Sequence, residues 1–318
     1  MANAPVTAHG MRVFPYSEDK TGLGGNPTVI FLNSGRLSDD RMRDLAHASK
    51  HECGYVVEGP TLVQTKQGAP HYEVSIRYWV PEHEMEMCGH ATIGALWLMD
   101  ALNMLPGARN VAVSTKAGTF EAVLPSTKES KIPGVEAHVM VAQPKGSADE
   151  LSSEHREAVA GALGVSVDRI GSVQNAATAR IKTLVEVKDV ETLDALHPEQ
   201  PPVRAVCEAI SSTGLYPYAR IGDTTFSARQ FPKSSGYLED PATGIAASSL
   251  VCGLLFRGVV KAETVQPIRV RQGWAMGMPS EIHITLRRDD ASQVFGYWLS
   301  GAVTEMEVTD DVKCLLAA

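Results

Sequence analysis

"MCGHATIGALWLM", residues 87–99, opens with a thiol, a glycine and an imidazole and then turns almost wholly apolar. The second half of the chain repeats the shape in "LEDPATGIAASSLVCGLLF", residues 238–256: polar groups, a small-residue turn, a greasy run. A helix that is apolar on every face has to be enclosed by the rest of the protein. The runs 91–103 and 245–256 therefore read as two buried helices, each with polar residues at its amino end. Each run is about a dozen residues, too short to cross a bilayer and suited to a core helix.

Around these two runs the sequence reads mostly as short strands. "MRVFPY", "TVIFLN", "YEVSIRYWV", "NVAVST", "TFEAVLP" and "AHVMVAQP" in the first half carry β-branched and aromatic residues between turn formers. "RIKTLVEV", "YPYARI", "TTFSARQF", "IRVRQG", "EIHITLRR" and "VFGYWLSG" do the same in the second half. "SDDRMRDLAHAS", "SSEHREAVAGALG" and "PPVRAVCEAISST" have helical spacing with a polar face, which places them outside. Two enclosed helices amid many strands predict an α+β chain of two β-rich units, each wrapped around one helix. Ala91-Thr92 and Ala242-Thr243 lie 151 positions apart, close to half the chain, a weak sign of internal duplication. "AQPKGSADELSSEH" is rich in Pro, Gly and Ser and suits the segment after a domain crossover.

Bulk composition narrows the class. The chain has 318 residues, 44% hydrophobic and 21% charged, as expected of a well-packed soluble protein. A net charge of −8 and a pI near 5.7 argue against a nucleic-acid partner, which needs a basic face. Five cysteines without paired spacing read as reduced thiols of a cytoplasmic protein. The start, "MANAPVTAHGMRVFPY", has no basic segment followed by an apolar core, so neither a signal peptide nor a membrane anchor is expected.

The chemistry concentrates at the helix starts. A helix amino terminus exposes unpaired N–H groups and a partial positive charge, and so receives carboxylates or developing oxyanions. Gly89 and Gly244 let a ligand approach the backbone, and Thr92 and Thr243 stand in the first turn or at the cap. Either helix alone reads equally well as a capped core helix; polar residues before both tilt the reading towards a site. His90 is an acid or base near neutral pH, or a structural histidine. Cys88 is a nucleophile or thiolate base, or an inert buried thiol. Glu239 and Asp240 are catalytic carboxylates or caps. In "SKHECGYVV", residues 49–57, Glu52 stands at the entrance of a strand and on spacing alone reads as a solvated carboxylate.

Other site classes fit less well. "HEMEMCGH", residues 83–90, is neither HExxH nor CxxC, although an extended backbone would put Glu84, Glu86, Cys88 and His90 on one face, as a zinc hydrolase would need. There is no GxGxxG, Walker A or GxSxG motif.

"GGNPTVIF", "ECGYVV", "MCGHATIGAL", "EDPATGIAA" and "RQGWAMGMPSEI" occur in the order found in the PhzF-like family of phenazine-biosynthesis isomerases, which this chain resembles from about Met11 to about Gly301. The resemblance implies the diaminopimelate-epimerase-like fold: two similar β-barrel-like halves, each around a central helix, with the site in the cleft between them. It assigns 1–131 to the first half, with its helix near 90–103 and a C-terminal strand near 300–318 joining it. The second half is then 132–299, with its helix near 243–257. It also implies a cytoplasmic, homodimeric isomerase or epimerase that moves a proton on a small carboxylate substrate without cofactor or metal.

Glu52 falls on the family's proton-moving glutamate, and His90 and Asp240 on its histidine and aspartate. Cys88, Gly89, Gly244 and Ile245 fall beside the substrate. The sequence departs from the family forms EDPATGSA and MGRPS at Ile245 and Met278, which tells against the family's best-known substrate, a dihydro-hydroxyanthranilate. Opposed-cysteine racemases of the same fold use two thiols; Cys88 matches the first, but Cys252 lies inside the second helix. A binding protein that has lost catalysis is the remaining alternative.

Overall fold

The structure, a computed structural model, describes residues 4–63, 70–125 and 138–317. The chain folds into two compact units. One comprises Met1–Pro15, Asn26–Ala142 and Ser300–Ala318; the other comprises Tyr16–Gly25 and Gln143–Leu299. The expected boundary at 131/132 lies outside the described residues.

The first unit runs β1 (Thr7–Val13), β2 (Asn26–Leu32), α1 (Asp39–Ser49), β3 (Glu52–Val63), β4 (His71–Trp79), β5 (Glu84–Met85), α2 (Gly89–Ala101), β6 (Asn110–Thr115), β7 (Gly118–Val123) and the start of β8 (Met140–Pro144). β1 pairs antiparallel with β2, β2 parallel with β3, β3 antiparallel with β4, β4 parallel with β6, and β6 antiparallel with β7. α2 packs on β1, β2 and β3. The fit depends on small residues: a Cβ on Gly94 would stand 3.3 Å from Val13, and one on Gly54 would stand 3.1 Å from Ile30 and 3.4 Å from Ala91. Every α2 residue from Gly89 to Met99 except Trp97 is buried, so nearly all its apolar surface leaves water. α1 is the amphipathic counterpart, capped by Ser38 and ended by Lys50 in the left-handed region, with Met42, Leu45 and Ala46 inward.

The end of the chain differs from the strand expected near 300–318. Ser300 ends a strand that starts at Val294, and after it only Val303–Met306 is strand, paired antiparallel with β1. Asp310–Ala317 turns helical, and its Val312 is buried in the α1 cluster with Leu45 and Tyr55. Its apolar positions Val312, Leu315 and Leu316 are spaced three and four apart, which is helical rather than alternating.

The second unit runs β9 (Ser147–Glu150), α3 (Ser153–Leu163), β10 (Ile170–Ala177), β11 (Ile181–Val187), α4 (Val190–Asp194), α5 (Gln200–Ala209), β12 (Gly214–Arg220), β13 (Thr225–Ala228), β14 (Phe231–Pro232), α6 (Gly244–Phe256), β15 (Ile268–Gln272), β16 (Ser280–Arg288) and β17 (Val294–Ser300). Its pairing repeats the first unit's order: β10 antiparallel to β11, β11 parallel to β12, β12 antiparallel to β13, β13 parallel to β15, β15 antiparallel to β16. In each unit a short two-residue strand stands before the buried helix. The shared order of pairings and helices is what a duplicated unit looks like, far clearer than the Ala-Thr repeat in the sequence. β10 has no counterpart among the expected strands, because "IGSVQNAA" carries Gln and Asn where alternation wants apolar residues. Among the described residues no helix is long and apolar enough to cross a membrane.

Candidate functional site

The entrance of α2 is built by four chain segments of the first unit. Cys88 is the N-cap, in extended conformation, and its side chain makes no capping bond to the first turn. The Thr92 hydroxyl donates to the Cys88 carbonyl at 2.7 Å and lies 2.6 Å from the Tyr78 hydroxyl, which fixes the turn from inside. Glu52 begins β3, opposite Thr28 of β2, and the Thr28 hydroxyl donates to its carbonyl at 2.7 Å. With both backbones held, the Cys88 thiol donates to Glu52 Oε2 at 3.1 Å. His90 Nδ1 lies 3.3 Å from Cys88 Sγ and 3.7 Å from Glu52 Oε2.

The three groups differ in exposure. The side chains of His90 and Glu52 are 8% and 25% exposed, and Cys88 is buried. Burial lowers the pKa of His90, with the Glu52 carboxylate opposing. The neighbouring His51 is lowered too, by burial first and then by Arg12 and His90. A neutral imidazole, a thiol and a carboxylate in mutual contact can pass a proton among themselves with little movement. The expectation that Glu52 is a solvated carboxylate on spacing alone is therefore replaced by a half-buried one with a thiol and an imidazole beside it.

The one-face arrangement of "HEMEMCGH" does not form. β5 ends at Met85, the backbone turns into α2 at Gly89, Glu86 is exposed, and Glu84 is held by Arg77 at 2.7 Å. The acidic neighbour of Cys88 and His90 comes instead from Glu52, thirty-six residues before the cysteine. Tertiary folding chose it.

Asp240, Gly244 and Ile245 belong to the second unit. Asp240 forms a bridge with Gln230, and its carboxylate accepts a short hydrogen bond from the Thr243 hydroxyl. Thr243 is the α6 N-cap, extended like Cys88 and likewise without a side-chain capping bond. Gln272 locks this turn: its amide NH2 donates to the Asp240 carbonyl at 2.7 Å and to the Thr243 hydroxyl at 3.1 Å. Its carbonyl accepts from Thr243 N–H at 3.2 Å and Tyr216 O–H at 2.9 Å. Gly244 has a packing reason to be glycine, since a Cβ would stand 2.6 Å from Leu299. Ile245 is half-buried.

Glu239 is neither a cap nor a free carboxylate. Arg229 grips it at both oxygens, at 2.9 and 2.7 Å, while donating to the carbonyls of Leu193, Asp194 and Leu196. That pair is a structural clamp. Sequence reasoning missed Arg229, Gln272 and Tyr216; only Gln272 lay in a quoted motif.

Comparison with known proteins agrees with this architecture. The profile of the family described as phenazine biosynthesis-like protein (PhzC-PhzF) matches residues 19–307. The uncharacterized isomerase YddE of Salmonella typhimurium is 27% identical over 278 residues, covering 82% of this chain and 85% of its own. The trans-2,3-dihydro-3-hydroxyanthranilate isomerase of Pseudomonas fluorescens is 25% identical over 258 residues, covering 81% of this chain and 84% of its own. The crystal structure of the Bacillus anthracis phenazine biosynthesis protein of the PhzF family has the same fold, with a TM-score of 0.77 at 18% identity, covering 95% of this chain and 98% of that one. The fold is thus diaminopimelate-epimerase-like, and the chain belongs to the phenazine biosynthesis-like (PhzC-PhzF) family, as an enzyme of the isomerase type.

Proposed function

We propose that this enzyme isomerises or epimerises a small carboxylate substrate by proton transfer, without a cofactor, and that Glu52 moves the proton. The observation that carries the reading is the Cys88 thiol donating to Glu52 Oε2 at 3.1 Å, with His90 beside both, at a helix start whose N-cap side chain makes no capping bond. The carboxylate is the base, the imidazole and thiol accept or return its proton, and the helix start stabilises enolate-like charge. Asp240 is assigned to the same reaction by its place in the family motif, with Gly89, Gly244 and Ile245 against the substrate. The same reading makes the protein cytoplasmic and homodimeric, and assigns 1–131 and 132–299 to its two halves.

The test is to incubate the protein in deuterated water with small carboxylic acids that bind it, identified first among co-purified ligands by mass spectrometry. A gain of one mass unit at the acidic carbon is expected. A ligand that binds tightly and never exchanges would make the protein a binder and sink the proposal.

We further propose that the substrate is not the dihydro-hydroxyanthranilate named for the Pseudomonas fluorescens relative. Ile245 offers no hydroxyl beside the α6 start and Met278 no guanidinium, and losing one such bond costs about 1–3 kcal/mol, or one to two powers of ten. Isomerisation of that compound at a rate matching a pathway enzyme, followed optically, would refute this.

A further inference from the structure

We propose that the Glu52, Cys88 and His90 cluster is also an inhibitory site for a zinc ion, distinct from any resident metal. The three donor atoms lie 3.1 Å (S to O), 3.3 Å (S to N) and 3.7 Å (N to O) apart. Bonds of about 2.3 Å to sulfur and about 2.0–2.2 Å to nitrogen and oxygen place tetrahedral ligands about 3.3–3.6 Å apart. Shifts of a few tenths of an ångström, well within side-chain freedom, convert one triangle into the other.

The donor set selects the ion. One thiolate, one imidazole and one carboxylate oxygen suit zinc; magnesium and calcium take oxygen shells that this cluster lacks. Among the described residues these are the one group of three such side chains whose donor atoms all lie within 4.8 Å of one another. A dication with one thiolate and one carboxylate sums to zero, so the occupied site carries no net charge at the positive end of α2. The fourth position stays with water, on the side where Glu52 is 25% exposed.

On binding, the Cys88 S–H bond breaks heterolytically: its electron pair forms the Zn–S bond and the proton leaves to solvent. The Glu52 oxygen that would take a proton is then engaged by the metal. The inhibition rests on the reading of Glu52 as base; the binding does not.

Cobalt is the probe, because tetrahedral Co2+ bound to thiolate absorbs in the near ultraviolet and visible. The apoprotein should take one equivalent of Co2+ with a thiolate charge-transfer band, and one equivalent of Zn2+ should displace it. Calorimetry in two buffers of different ionisation enthalpy should show one proton released per zinc. Cys88→Ser should abolish the band, and Glu52→Gln should weaken binding on the order of ten-fold or more. No thiolate band in the wild type, or a band that survives Cys88→Ser, overturns the site. Those outcomes leave the base assignment standing, and Glu52→Gln with undiminished deuterium exchange removes that assignment without touching the metal result.

Discussion

The two buried helices begin alike and end up with opposite chemistry. Each has thirteen residues, starts with glycine and follows an extended N-cap whose side chain makes no capping bond. At α2 the cap is Cys88, and the groups around it are ones that can exchange protons: a thiol, an imidazole and a carboxylate within 3.7 Å of one another. At α6 the cap is Thr243, and its surroundings are held still. Gln272 uses both amide hydrogens and both carbonyl lone pairs on Asp240, Thr243 and Tyr216, leaving nothing to rearrange. In the proposed reading, one frame used twice has become a proton-handling end and a positioning end. The difference lies in three or four side chains per helix start, while the packing around each helix is the shared investment.

The comparison breaks first at Glu52. Glu52→Gln keeps shape and hydrogen bonding but removes the base, and should cut deuterium exchange by roughly 10²- to 10⁴-fold with thermal stability unchanged. Exchange within a few-fold of wild type would mean that α2 is no more a proton-handling end than α6.

Gln272→Leu should do the reverse at α6. It strands the Tyr216 hydroxyl and the Thr243 N–H in a buried turn, which costs about 1–3 kcal/mol of stability. Chemical denaturation measures it, and an unaltered midpoint would show that the network around Asp240 is relaxed rather than fixed.

A third difference concerns pH. The folded-state pKa values of His90 and His51 lie below the ordinary 6.5, chiefly through burial. Below that value the unfolded chain binds more protons, so these groups stabilise the fold above it and lose that contribution as pH falls. Melting temperature should therefore drop with pH between about 6.5 and the carboxylate range, and His90→Gln should flatten the slope. A slope identical in the variant would place the sensitivity elsewhere.

The smallest effect is expected from Cys88→Ser. With Glu52 as base, serine keeps a donor to Oε2 and exchange should change less than ten-fold. Near-complete loss, together with inactivation by iodoacetamide that ligand prevents, would make the thiolate the base and sharpen the asymmetry further.

Much of this is legible in the amino-acid sequence. Most of residues 91–103 and 245–256 declared themselves enclosed because apolar side chains on every face of a helix have no other stable place. However, α2 ends at Ala101, and Leu102 and Phe256 at the far ends stay exposed. Most strands were visible from alternation, and α1, α3 and α5 from amphipathic spacing. Where reading failed, tertiary demands had overridden local pattern. β10 keeps Gln174 and Asn175 in a strand, with Gln174 fully buried, and Asn175 is paired to the Thr183 hydroxyl at 2.7 Å and the Ile210 carbonyl at 2.8 Å. The terminal helix exists because Val312 finds the α1 cluster.

The sequence by itself determined the two buried helices, the polar residues at their starts and the family they point to, since hydrophobic periodicity and short motifs are local properties. Which carboxylate serves Cys88 and His90 was decided only in three dimensions. Glu84 and Glu86 are nearer along the chain, yet the parallel pairing of β2 with β3 and the packing of α2 on both bring Glu52 to the thiol. Likewise Glu239, adjacent to Asp240 in the motif, is taken by Arg229, while Asp240 keeps its place at the helix start. A hydrogen bond depends on distances of a few tenths of an ångström, and those are set by how strands register and helices pack, not by spacing along the chain.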